Sequence, residues 1–93
     1  MPGNTRVHAI ISGRVQGVFY RIETQGAAHR IGVNGWVRNL PDGTVEAVFE
    51  GEKDRVTSML NWCQKGPPNS RVDQVKVDWQ NFSGEFSDFK VTY

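Results

Sequence analysis

The chain has one cysteine, no block of a single charge sign and no long apolar stretch, and each shortage removes a class of protein. A lone Cys63 leaves no intrachain disulfide to form, which suits a reducing compartment. No apolar run approaches the roughly 20 residues that cross a bilayer, and the first residues lack the layout of a secretory signal. The expectation is a cytoplasmic protein with no membrane partner. Eleven Lys and Arg balance ten Asp and Glu to a formal net charge of +1, with the signs interspersed along the chain. The basic stripe that tracks nucleic acid is missing, so no nucleic-acid partner is expected. His8 and His29 have no partners at ligand spacing and Cys63 stands alone, so neither a metal nor a cofactor is expected.

What is present is the material of a small core. Ninety-three residues allow one domain, 1–93, and are too few for two. Three Trp, five Phe and two Tyr supply the large apolar surfaces with which so short a chain offsets its conformational entropy.

Periodicity divides the chain into elements. Val7 to Ser12 is β-rich with apolar residues on both faces, which predicts a central strand. After Gly17, Tyr20, Thr24, Ala27, Ala28 and Ile31 recur at helical spacing, and Gly32 closes the segment. Val33 to Leu40 and Thr44 to Gly51 read as strands joined by Leu40-Pro41-Asp42-Gly43, where Pro fixes one dihedral and Gly accepts a positive φ. In the second of them Val45, Ala47 and Phe49 point one way and Glu46 and Glu50 the other, predicting one exposed or partly exposed face. Glu52 to Lys65 carries Val56, Met59, Leu60 and Cys63 on one helical stripe, and Gly66-Pro67-Pro68 ends it. Val75 to Trp79 alternates as a strand, and Phe89, Val91 and Tyr93 mark a last one. Trp36 and Trp79 are expected in the core, and His29 is expected to be exposed.

The order β-α-β-β-α-β-β predicts an α+β, ferredoxin-like sandwich, with a mainly antiparallel sheet and two helices on one face. That architecture hosts many functions and names none.

Chemistry concentrates in Gly13-Arg14-Val15-Gln16-Gly17-Val18-Phe19-Tyr20-Arg21, between a strand end and a helix start. A helix N-terminus offers unpaired N–H groups and partial positive charge to an anion. The preceding loop can curl its own amides around a phosphate, with Gly17 permitting close approach and Arg21 adding a planar, permanently charged fork. The same residues also fit an ordinary loop whose Arg21 is solvated or pairs with Glu23 or Asp42. Asn39, at the mouth of the Pro-Asp-Gly turn, can hold a water for in-line attack or simply bond its own turn backbone.

Gly13 to Arg21, then Gly35-Trp36-Val37-Arg38-Asn39, then Asp42-Gly43-Thr44-Val45-Glu46 resemble the two signature blocks of the acylphosphatase family. The likeness extends over essentially the whole chain, through Ile31-Gly32-Val33 and Gly66-Pro67 to the final Tyr. It implies a metal-independent enzyme that needs no cofactor and acts on a small-molecule acyl phosphate substrate; nothing in the residues suggests more than a monomer. It implies that Gln16, Gly17, Val18, Phe19 and Tyr20 wrap the phosphate with backbone amides. Arg21 matches the essential arginine, Asn39 the water-positioning asparagine, and Thr44 a supporting hydroxyl. In some members the terminal carboxylate reaches the arginine, so the carboxylate of Tyr93 is expected near Arg21. Departures are mild: Phe19-Tyr20 stands at a variable site, Ser70 replaces Ala, and Ile31 replaces Leu.

Overall fold

The apolar alternation that starts at Val7 places β1 (Asn4–Arg14) in the interior of a five-stranded sheet. The computed structural model describes residues 3–93, and Met1 and Pro2 lie outside them. After β1 come α1 (Tyr20–Ile31), β2 (Asn34–Asn39), β3 (Val45–Glu52), α2 (Lys53–Lys65), β4 (Arg71–Gln80) and β5 (Phe89–Val91), in the expected element order. The strands lie in the order β4-β1-β3-β2-β5. All neighbours are antiparallel except β2 and β5. Each helix therefore joins two strands that flank a third, which is the split βαβ arrangement.

Val7, Ala9 and Ile11 of β1 are fully buried, and so are Val45, Ala47 and Phe49 opposite them on β3. Against this face pack Ala27 and Ala28 of α1 and the predicted α2 stripe of Val56, Met59, Leu60 and Cys63. Each large apolar side chain so buried contributes about 1.5–3 kcal/mol. Tyr20, also buried, donates its hydroxyl to the Cys63 carbonyl at 2.8 Å and so ties the two helices together. Burial pushes the Cys63 thiol up to about 12, which leaves it a packing residue with no thiolate at neutral pH.

Three expectations are corrected. The strand predicted to stop at Ser12 continues, because a bulge between Ser12 and Gly13 re-registers it and lets Arg14 pair with Arg71. Gly13 has a φ of 129°, and a Cβ there would collide with the Arg71 carbonyl. That added pairing also starts β4 at Arg71, four residues before Val75. Second, Trp79 is not a core residue: it faces Val7 from an edge strand and is 48% exposed. Trp36 is only half-buried, with the Arg38 guanidinium over its ring.

The third correction concerns β3. Its second face was expected to be exposed or partly exposed; Glu46 there is half-buried, but Glu50 is only 2% exposed, held by the loop between β4 and β5. Ser83 N and Oγ donate to its Oε2 at 2.8 and 2.7 Å, Gly84 N donates to Oε1 at 3.2 Å, and Arg6 approaches at 3.3 Å. Burial alone pushes this carboxyl up. The bonds from Ser83, Arg6 and Gly84 outweigh it and hold the group below its ordinary value.

Candidate active site

The loop from β1 to α1 is pinned at two points and bare between them. Val15 and Val18 are buried in the core, while Gly17 and Phe19 face outward. Gly17 has a φ of 75° and Phe19 one of 63°, and Val18 between them keeps the ordinary sign. Backbone of alternating hand is the kind that turns successive N–H groups toward one side, as anion-binding loops do. A Cβ on Gly17 would meet nothing within 4 Å. Glycine is thus demanded by the backbone angle, and the space above it is open.

The start of α1 has no partner of its own. Phe19 occupies the N-cap position, where its side chain offers no acceptor, and no side chain caps the first turn. A helix with Ser, Thr, Asp or Asn at that position would satisfy one of its orphan donors. Here no side chain meets those donors.

Gln16 ties this loop to the β2–β3 turn. Its Nε2 donates to the carbonyls of Leu40 and Thr44, both at 2.8 Å. The turn itself closes with Leu40 N on the Thr44 carbonyl at 2.9 Å. Thr44 therefore serves the site through its carbonyl. Its hydroxyl, expected to support Asn39, donates instead to Asp42 Oδ1 at 2.6 Å. That bond, with the one from Thr44 N at 3.0 Å, holds the Asp42 carboxyl below its ordinary value.

The tie brings Asn39, the last residue of β2, to the anion loop. Val15, Gly17, Phe19, Tyr20, Arg21, Ile22 and Asn39 line one cleft of about 290 Å³. Asn39 Oδ1 is buried and has no hydrogen-bond partner. Such an orphan costs about 1–3 kcal/mol unless a ligand or water meets it.

Arg21 is half-buried at the same cleft. Among the described residues it makes no ion pair, with Glu23, Asp42 or the terminal carboxylate. The expected contact with Tyr93 is made by the ring, whose centroid lies 5.1 Å below the guanidinium carbon. A cation held over a ring in this way keeps its charge and its N–H donors. His8 and His29 are engaged elsewhere, with Glu46 at 2.8 Å and Asp88 at 3.2 Å.

Sequence reasoning missed Ile22 and the exposure of Phe19. Ile22 is 60% exposed and Phe19 72%. The available signal was Ile22 itself, an apolar residue lying off the α1 stripe.

These features define a class: a split βαβ sandwich with a cationic cleft where β1 hands over to α1. The sequence profile of the acylphosphatase family matches residues 7–91. The acylphosphatase of Syntrophobacter fumaroxidans is 57% identical over 88 residues, covering 95% of this chain and 91% of that one. That of Pelotomaculum thermopropionicum is 50% identical over 88 residues, covering 95% and 96%. The solved acylphosphatase structure from Coxiella burnetii superposes with a TM-score of 0.91 at 37% identity, covering 96% and 93%. The chain belongs to the acylphosphatase family, and its activity is hydrolysis of the carboxyl–phosphate bond of acyl phosphates.

Proposed function

We propose that the amides of Gln16 to Tyr20 and the Arg21 fork hold the phosphoryl group while Asn39 aims the attacking water. Water oxygen forms a bond to phosphorus as the bond from phosphorus to the acyl oxygen breaks. The electron pair leaves on the carboxylate, and the proton of the water passes to a phosphoryl oxygen, giving inorganic phosphate. A carboxylate is a weak base and a good leaving group, so the reaction needs no strong general acid. It needs position and charge on the equatorial oxygens. The placing of Asn39 in the same cleft as Arg21 carries this reading, because a side-chain amide can both donate to and accept from a water held there.

The reading extends to a single domain acting as a monomer in the cytoplasm on a small molecule, without nucleic acid, membrane, metal or cofactor. Both helices cover the apolar face of the sheet from within the chain, and Cys63 stays a thiol.

Phosphate release from benzoyl phosphate tests the assignment. Arg21→Ala should lower kcat/KM by about 10³-fold or more, the scale on which arginines act in phosphoryl transfer. Arg21→Lys should recover little of it, since a point charge does not replace the fork. An Arg21→Ala enzyme within tenfold of the parent would remove Arg21 from the site.

A further inference from the structure

Phe19 bears two costs at once. Its backbone is left-handed, at φ 63° and ψ 23°, a conformation that Gly or Asn adopts more easily. Its ring is 72% exposed to water. Strain and exposed apolar surface on one residue at the mouth of a reaction cleft call for a use of the ring. Ile22, one helical step beyond Arg21, adds a second exposed apolar side chain to the same cleft.

Given the phosphate assignment above, on which this step rests, the phosphoryl end is held at the loop and the acyl end is left at that rim. We infer that Phe19 and Ile22 form the acyl-side platform of the cleft and select acyl phosphates with an apolar aryl or alkyl body over those carrying a second negative charge. Of the residues lining the cleft, only Arg21 is charged, and the phosphoryl group takes it. Phe19 also lines a second groove, with Pro67, Pro68 and Glu23. An acyl body reaching past the ring therefore meets prolines and a carboxylate. An apolar body gains contact there, and an anionic one meets repulsion with no compensating cation.

The test compares kcat/KM on benzoyl, acetyl and succinyl phosphate. The parent enzyme should favour benzoyl over succinyl phosphate by about tenfold or more, the scale on which pockets discriminate apolar groups. Ile22→Ser and Phe19→Asn, the latter suited to the left-handed backbone, should each lower the benzoyl-to-acetyl ratio by about fivefold. Ile22→Ser should leave inhibition by inorganic phosphate within about twofold, because the phosphate end is read by the loop. An unchanged ratio in both variants, or a parent that favours succinyl phosphate, would overturn the platform. Failure of the phosphate assignment looks different: an active Arg21→Ala enzyme, whatever the acyl preference.

Discussion

β2 and β3 are hydrogen-bonded neighbours, and each buries a polar side chain with the opposite outcome. Glu50 on β3 takes bonds from Ser83, Gly84 and Arg6. Asn39 at the end of β2 buries an oxygen that meets nothing. The strap around Glu50 is a stability device, with every acceptor met and the loop between β4 and β5 tied to the sheet. The cleft around Asn39 has an uncapped helix start, a left-handed Phe19 and an unpaired Arg21. These unsatisfied groups lie where the proposed function puts the phosphoryl group and the water. Stability and chemistry thus occupy different ends of the same sheet, and polar satisfaction tells them apart.

The largest effect that would break this contrast is on the strap. Glu50→Ala leaves two loop amides without their acceptor, removes one of the two carboxylates that Arg6 meets and should destabilise by about 3 kcal/mol, lowering Tm on the order of 15 °C. Turnover at 25 °C should stay within about twofold, since no strap residue lines the cleft. A Tm loss below 3 °C, or a matching loss of turnover, would erase the distinction.

Gln16→Ala sharpens the border between the two regions. Losing its two bonds should cost about 1–2 kcal/mol. Loosening the loop against the Asn39 turn should lower kcat/KM by about tenfold. A loss of phosphate affinity with no change in Tm would instead make the Gln16 side chain a direct ligand.

Acid should produce the smallest effect. The folded carboxyl of Glu50 titrates below its ordinary 4.5. Its contribution to stability is therefore present above the unfolded value and is lost as pH falls through the folded one. Tm of the parent should decline more steeply below pH 4.5 than that of Glu50→Gln. Parallel curves would show that the strap draws nothing from the charge.

Much of this was legible in the residues. The stripe Val56, Met59, Leu60, Cys63 and the Pro41-Asp42-Gly43 turn depend on neighbours in sequence, and both stand as read. Tyr20 through Ile31 also emerged from spacing alone. The misreadings share a cause: contacts between distant segments. Glu50 alternates as a solvent-facing residue, and it is met by Ser83 and Gly84, 33 and 34 positions away. Trp79 alternates as a core residue but falls on an edge strand. At the site, Arg21 and Asn39 were legible as residue types. Their shared cleft depends on the long-range bonds of Gln16, which no local pattern encodes.

Asn39→Ala, measured for both turnover and Tm, tests the central claim most directly. If Asn39 trades stability for positioning, kcat on benzoyl phosphate should fall by about 10²-fold while inhibition by inorganic phosphate stays within about threefold. Tm should hold or rise, because an unmet buried acceptor has been removed. Normal turnover, or a Tm loss like that of Glu50→Ala, would contradict the account.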